Sequence, residues 1–193
     1  CGSLAAVHAE NGQLLKHFKE QVIRSGRKDF AAYSDSRPNI VEEEAISRCL
    51  LYSRMIGNRL HIAHLSTAEG LELIKAAKTK GLPVTSETCP HYLLLTRDDF
   101  ERLGPLIVYN PPPRSKHDAE TLWAGLAEGT VDNLVTDHCS YSSKEKSVGE
   151  KELWSTPPGI PGLETLVPLM FTEGVDKGRI SLQRFIQLTS EKP

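Results

Sequence analysis

Four short apolar runs, each followed by an amphipathic segment, dominate the pattern of hydrophobic and polar positions. The runs have the length of strands, about four to eight residues, and polar or glycine-containing stretches bound them. We predict strands at residues 3–10, 59–66, 82–89 and 131–138. In the segments between them, apolar residues recur at the period of a helix. We predict helices at residues 11–24, 36–57 (after a turn at Pro38), 66–81, 115–129, 161–171 and 181–190.

Local signals place some boundaries of these elements. Ser66 and Glu69 have the spacing of a capping box, and Gly81 stands where a glycine commonly ends a helix. Residues 110–114 contain three consecutive prolines, which predicts a rigid loop. Residues 140–160 are rich in Ser, Lys, Gly and Pro, and we predict an exposed loop there.

The repeated alternation of strand and helix predicts the α/β class, with parallel strands joined by helical crossovers. No GxGxxG follows any predicted strand, so a dinucleotide-binding sheet is disfavoured. The alternative is a run of β/α units from a (β/α)₈ TIM barrel. In such barrels the catalytic residues lie at the carboxyl ends of the strands.

Composition narrows the classes of partner. The chain has 193 residues, a formal net charge of -2 and a pI of about 6.4, which is typical of a globular domain without a strong field. Nucleic acid and membrane partners are therefore disfavoured, and a small molecule is expected. There is no long apolar run and no signal peptide. The four cysteines form no CxxC pair, which favours a reducing, cytoplasmic location.

Candidate metal-binding and proton-transferring residues fall at or near the ends of the predicted strands: His8, His61, His64, Glu87 and Asp137. A single histidine in a strand is usually structural, but imidazole and carboxylate groups at neighbouring strand ends suit a zinc-like ion. His61 and His64 are three residues apart in the predicted strand, so only one of them can face the centre of a barrel. The pattern by itself leaves that choice open.

Other polar residues have structural interpretations beside functional ones. Glu10 and Asn11 either orient His8 or begin a helix, and Glu87 is expected to bond a loop. His91 is expected to be structural rather than to brace the site. His138 and Cys139 are expected to line or support its mouth. His17 and His117 have the setting of solvent-exposed helix residues.

Six motifs occur in series over nearly the whole chain: VHAENG (7–12), HIAHLSTAEG (61–70), ETCPHYL (87–93), NPPPR (110–114), VTDHCSY (135–141) and PGIPGLET (158–165). Together they resemble the cyclic amidohydrolases, the family of dihydropyrimidinase (hydantoinase), allantoinase and dihydroorotase. The resemblance implies a metal-dependent barrel that hydrolyses a cyclic amide or ureide.

The resemblance implies roles for individual residues. It makes His8 and His64 metal ligands from the fifth and sixth barrel strands, and Asp137 a ligand and general base from the eighth. The implied cofactor is a divalent metal, zinc by expectation, in a two-metal site of the complete enzyme. The substrate contacts implied by the resemblance are Asn110, Pro158 and Gly159.

Two features of the family pattern are missing. The HxH pair of the first strand and the carboxylated lysine of the fourth have no counterpart, and the chain opens with Cys1 rather than Met. We therefore expect residues 1–193 to form a single partial barrel domain, roughly strands 5 to 8 with their helices, cut from a longer chain. The open strand edges of such a fragment predict a homo-oligomer.

The expected function is hydrolysis of a dihydropyrimidine or hydantoin ring by the complete enzyme, with the isolated fragment inactive. Within the resemblance, SRP before a glutamate-rich helix and ETCPHYL favour the hydantoinases. Asn110 favours dihydroorotase or allantoinase, because hydantoinases often carry Ser there. Two further alternatives are a non-catalytic dihydropyrimidinase-like assembly protein and an unrelated α/β binding module.

Overall fold

A parallel four-stranded sheet organises the protein. The computed structural model describes residues 3–191. Sequence neighbours are also neighbours in the sheet, in the order β1-β2-β3-β4. Every adjacent pair is parallel, with register partners such as Ala6 and His61. The strands are β1 (Leu4–Val7), β2 (Arg59–Ile62), β3 (Val84–Thr88) and β4 (Asn133–Leu134).

Helices connect the strands, which confirms the α/β class and the crossovers predicted from the sequence. Four of them lie outside the predicted helices: Ala31–Asp35, Pro90–Leu94, Phe100–Leu103 and Ser143–Lys146. Near the C-terminus, π-helical turns continue the last two helices to Asp176 and Glu191. The helices are α1 (Gly12–Arg24), α2 (Ala31–Asp35), α3 (Ile40–Ile56), α4 (Ala68–Thr79), α5 (Pro90–Leu94), α6 (Phe100–Leu103), α7 (Lys116–Glu128), α8 (Ser143–Lys146), α9 (Leu166–Met170) and α10 (Leu182–Ile186).

Capping residues explain several helix ends. The Asn11 side chain accepts hydrogen bonds from the first backbone N–H groups of α1, so this residue begins a helix, one of its two predicted roles. Ser115 and Asp118 form a capping box at the start of α7, and Gly129 ends that helix with a φ of 92°.

The predicted capping box of Ser66 and Glu69 is wrong. Thr67 caps α4 instead, since its hydroxyl accepts from the N–H of Gly70 at 3.2 Å. The Ser66 side chain is unavailable because it bonds the buried carboxylate of Glu42. A tertiary contact thus overrides the local spacing.

The predicted strand at 131–138 is also much shorter than expected. β4 contains only Asn133 and Leu134, although the N–H of Val135 still donates to the Thr88 carbonyl at 3.0 Å. The backbone then leaves the sheet and reaches Asp137 with a φ of 44°. Asp137 therefore lies on the loop that follows β4 rather than within a strand.

Residues 140–160 are not simply an exposed loop. They contain α8 and two short 3-10 turns, Ser147–Glu150 and Leu153–Ser155. Lys146, Leu153 and Thr156 are buried there. The composition suggested a solvated segment, whereas a few inward-facing residues attach it to the body of the domain.

The two faces of the sheet differ in polarity. Leu60 and Ile62 of β2 are buried in the apolar core, which also contains residues of α3, α4 and α7 such as Ile46, Ile74 and Leu122. His61 alternates with these strand residues and therefore faces the other side. This places a polar side chain on the face opposite the core.

The edge of the sheet at β1 is open in the described part of the chain. Leu4, Ala5 and Ala6 are exposed, and Leu4 is 48% exposed. Across residues 3–191, no helix is long and apolar enough to span a membrane. Cys49, Cys89 and Cys139 carry free thiols, and Cys1 lies outside the described residues.

Candidate active site

A cavity of about 250 Å³ lies where the carboxyl ends of the strands open. His8 follows β1, His64 follows β2 and Asp137 follows β4. All six residues nominated from the sequence line this cavity: His8, His64, Asn110, Asp137, Pro158 and Gly159. Residues separated by as many as 151 positions (8 to 159) are thereby brought to one place.

The two histidines are in direct contact. His8 Nδ1 and His64 Nε2 are 2.8 Å apart, and the rings meet edge to face with centroids 4.6 Å apart. A hydrogen bond between two ring nitrogens needs one proton, so one imidazole donates and the other accepts. His64 is 8% exposed, whereas the His8 side chain is about half exposed.

Backbone strain is concentrated at the same site. Among the non-glycine residues between 3 and 191, only His64 and Asp137 have a positive φ, at 37° and 44°. This left-handed region costs an ordinary side chain on the order of 1–3 kcal/mol and is enriched at functional sites. Both strained residues line the cavity.

Glu10 orients His8. His8 Nε2 lies 2.8 Å from Glu10 Oε2, and Arg37 donates to that same oxygen at 2.5 Å. Burial opposes ionisation of Glu10, but the bond to His8 and the charge of Arg37 hold the pKa of its carboxyl below the usual value. An ionised carboxylate accepts the Nε2 proton of His8, which leaves Nδ1 to face His64.

His64 is held as a neutral imidazole. Burial lowers its pKa, and the neighbouring His8 lowers it further, while the charge of Asp137 acts in the opposite direction. Neutral imidazole is the form that donates a lone pair to a metal ion. The environment of His64 thus suits a ligand.

Two backbone segments build the part of the cavity that contains Asn110 and Gly159. Tyr33 donates its hydroxyl to the Asn110 side-chain carbonyl at 2.7 Å, which leaves the Asn110 NH₂ group as a donor. The N–H of Gly159 donates to the Val108 carbonyl at 2.9 Å. A Cβ on Gly159 would lie 2.5 Å from the Cys139 carbonyl, so only glycine allows this close approach.

A buried ionic network centred on Arg114 and Glu42 lies next to the site. The Arg114 guanidinium donates to the Ser66 hydroxyl at 3.0 Å, to Glu42 at 3.2 Å and to the backbone carbonyl of Arg37. Burial raises the pKa of Glu42 against the opposing charge of Arg114. The network joins the loop after His64 to the proline loop that carries Asn110.

Of His61 and His64, the structure places His64 at the cavity. His61 contacts β3 through Glu87 Oε2 at 3.1 Å and Thr85 Oγ1 at 2.8 Å, and it does not line the cavity. The expectation that Glu87 bonds a loop is wrong, because its carboxylate pairs with a histidine of the neighbouring strand.

The other histidines occupy structural or peripheral positions. His91 is buried against Tyr92 and Tyr109, and burial lowers its pKa to about 3. His138 accepts from the N–H of Gly162 at 3.1 Å. Cys139 lines the cavity mouth, and two histidines on helices are exposed: His17 and His117.

The donor types fit a divalent metal ion, although the described side chains are not arranged around one. Two imidazoles and a carboxylate are a common zinc donor set. Yet within residues 3–191 no group of three or more His, Cys, Asp or Glu side chains is placed to hold a metal ion. His8 Nδ1 and His64 Nε2 instead point at each other, 2.8 Å apart.

Sequence reasoning missed several residues of the site. Tyr33, Arg37 and Tyr109 contact it, but their partners are distant in sequence; Tyr33 and Asn110 are 77 residues apart. No local sequence motif predicts a contact between two residues so far apart in the chain. The positive φ values of His64 and Asp137 likewise have no signature in their residue types.

Comparison with known proteins identifies relatives of this arrangement. No protein-family model matches the chain. The chain is 42% identical over 193 residues to an L-hydantoinase of Paenarthrobacter aurescens and 36% identical over 196 residues to a D-hydantoinase of Ralstonia pickettii. It covers 42% and 43% of those proteins, and both matches take in 100% of this chain.

A solved structure agrees with the sequence relatives. The L-hydantoinase (dihydropyrimidinase) from Arthrobacter aurescens matches with a TM-score of 0.96 at 42% identity, over 100% of this chain and 43% of that one. The structure is therefore of the α/β class, with a parallel sheet and with histidines and a carboxylate just beyond the strand ends. The chain is similar over its whole length to hydantoinases, and it spans less than half the length of the relatives it matches.

Proposed function

We propose that this chain carries part of the catalytic centre of a metal-dependent cyclic amidohydrolase, with hydantoin or dihydropyrimidine rings as substrates. One observation carries most of the weight. His8, His64 and Asp137 reach one cavity from three strands, and the backbone is strained at two of them. The names of the hydantoinase relatives support the choice of substrate class.

The fold in this proposal is a partial TIM barrel. Four parallel strands with helical connections, one open strand edge and coverage of 42% of a relative support a single domain of roughly strands 5 to 8. The open edge of β1 also supports self-association of the isolated chain. Sedimentation velocity at two protein concentrations tests this, since a concentration-independent monomer would contradict it.

In the proposed site, ring nitrogens of His8 and His64 and the carboxylate of Asp137 would hold the divalent metal. A divalent ion, zinc by expectation, supplies the positive charge that activates water near neutral pH and polarises a carbonyl group. Glu10 fixes the orientation of the His8 ring.

Asp137 also acts as the general base. It accepts a proton from the attacking water and passes that proton to the ring nitrogen that leaves when the C–N bond breaks. Asn110 contacts the substrate ring through its side-chain amide, and the backbone at Pro158 and Gly159 lines the opposite part of the cavity. These contacts orient the carbonyl carbon toward the water.

Asn110 favours a second specificity. Residue by residue, the family resemblance associates Asn at this position with dihydroorotase or allantoinase. Dihydroorotate and allantoin therefore belong in the same substrate panel as hydantoin and dihydrouracil.

The test is ring opening of these four compounds by the full-length enzyme, with its metal content determined. We expect chelator-sensitive hydrolysis of hydantoin or dihydrouracil. A preference for dihydroorotate or allantoin would select the second specificity. A metal-loaded protein that opens none of the four rings would contradict the proposed activity and favour the non-catalytic assembly protein.

A further inference from the structure

A buried lysine lies next to the substrate side of the cavity without a role in the chemistry above. Lys146, at the end of α8, is 2% exposed, although the surrounding sequence is polar. Its Nζ donates to the Val108 carbonyl at 2.7 Å. In the described part of the chain, no carboxylate lies within ion-pair distance of this ammonium group.

The Tyr141 ring centroid lies 5.8 Å from Nζ, but burial of an ammonium group without a carboxylate partner is unfavourable. Simple packing therefore does not account for this residue. Removing such a charge from water is strongly unfavourable unless hydrogen bonds compensate. Burial accordingly lowers the pKa of Lys146 to about 8, against the opposing effect of Cys139. A hydrophobic residue would fill the same space without that cost.

The Val108 carbonyl, which accepts from Lys146, explains why a lysine stands at this buried position. Val108 O also accepts the N–H of Gly159 at 2.9 Å. One oxygen atom therefore joins three segments: α8, the stretch that leads to Asn110, and the loop that contains Pro158 and Gly159. The last two segments line the cavity.

The same loop is held from its other side by the chain that follows Asp137. The N–H of Cys139 donates to the Ile160 carbonyl at 3.1 Å. The loop at 158–160 thus lies between the Val108 carbonyl and the backbone of Cys139, and displacement of either support would shift the wall of the cavity.

We propose that Lys146 is a positioning residue, which fixes the Val108 carbonyl and through it the two backbone segments that contact the substrate. This role rests on the proposed function. Lys146 acts through the backbone and does not touch the reacting atoms.

The test uses Lys146→Met in the full-length enzyme, because Met has similar length and no donor. Lys144→Met is the matched control, since Lys144 lies on the same helix and is exposed. We expect kcat/KM for the best substrate of the panel to fall roughly 10- to 100-fold in the Lys146 variant, with most of the change in KM. Metal content and the unfolding midpoint should stay near wild type.

Amide hydrogen exchange gives an independent measurement. If Lys146 only contributed to overall stability, its replacement would not speed exchange specifically at residues 157–161. Between residues 157 and 161 only Gly159 and Ile160 have amide protons, because the other three residues are prolines. We expect faster exchange in this stretch for Lys146→Met than for wild type or Lys144→Met, with unchanged exchange in α7.

The outcomes separate the two proposals. An active wild type whose Lys146 variant keeps its KM, or keeps slow exchange at 157–161, overturns the positioning role. So does a loss of kcat/KM that follows a global loss of stability. A full-length wild type that opens no ring of the panel overturns the proposed function instead, and the positioning role with it.

Discussion

At the scale of single residues, the left-handed backbone at His64 and Asp137 is the most informative feature of the molecule. Each is strained by an amount that a single hydrogen bond of about 1 kcal/mol barely offsets. A loop free to relax would place these side chains elsewhere. Their φ values therefore indicate that the surrounding structure holds them in place for the site.

Asp137→Asn in the full-length enzyme tests the role of this carboxylate. The amide conserves the shape but cannot accept the proton of the attacking water, so kcat should fall by about 10² to 10⁴-fold. A weaker metal site would add to the loss. The assay is steady-state hydrolysis with metal content measured in parallel, and activity within about twofold of wild type would remove Asp137 as the base.

Tyr33→Phe tests the orientation of Asn110. Removal of one hydroxyl frees the Asn110 amide to rotate, and the loss of a hydrogen bond worth about 0.5–1.5 kcal/mol predicts a rise in KM of roughly two- to tenfold with little change in kcat. Tyr52→Phe is the control, since Tyr52 is 53% exposed. Equal KM values for the two variants would show that Tyr33 does not position Asn110.

The resemblance found the residues of the site whose types recur in sequence motifs, and it missed those that act on them. His8, His64 and Asp137 stand in recognisable motifs, and the structure brings them to one cavity. Tyr33 and Lys146 have ordinary local surroundings. Their partners, 77 and 38 residues away, are set by the fold.

At the scale of elements, local capping interactions could be predicted from the sequence, whereas features set by tertiary contacts could not. Asn11 and Ser115 begin helices because a side-chain oxygen next to free N–H groups is a local interaction. Ser66 does not cap a helix because its hydroxyl is hydrogen-bonded to Glu42 and Arg114. The predicted strand at 131–138 failed because its last residues are needed for a turn into the site.

The packing of α5 predicts a pH dependence of stability. Burial lowers the pKa of His91 to about 3, below the ordinary value of 6.5. The unfolded chain therefore binds a proton more readily than the folded one between these values. The stability is fully present above pH 6.5 and is lost progressively as the pH falls toward 3.

Urea unfolding at pH 7 and pH 5 measures this effect. Between those values His91 should cost on the order of 2 kcal/mol of unfolding free energy. His91→Gln should flatten that dependence, whereas His117→Gln, which changes an exposed histidine, should leave it intact. An identical pH profile for wild type and His91→Gln would contradict the assignment.

At the scale of the whole molecule, the chain matches relatives more than twice its length, with an open edge at β1. In the proposed barrel, the absent strands supply further metal ligands and close the cavity. Without them the site faces bulk water, which weakens the electrostatic stabilisation that a dry, preorganised cavity provides.

The isolated chain should therefore be catalytically silent and bind metal weakly. Hydrolysis of the four-substrate panel by the 193-residue chain, with and without added zinc, measures this directly. Addition of the missing part of the enzyme in trans should restore some activity, if the pieces fold together. Robust chelator-sensitive hydrolysis by the chain alone would contradict the expectation.

The central claim is that His8, His64 and Asp137 are ligands of the catalytic metal site. Anomalous diffraction at the zinc edge from crystals of the full-length enzyme tests it most directly. The account predicts that a ring nitrogen of His8, a ring nitrogen of His64 and an oxygen of Asp137 each lie about 2.0–2.2 Å from a metal peak of this site. A fully occupied metal peak bound elsewhere, with His8 and His64 still hydrogen-bonded to each other, would contradict it.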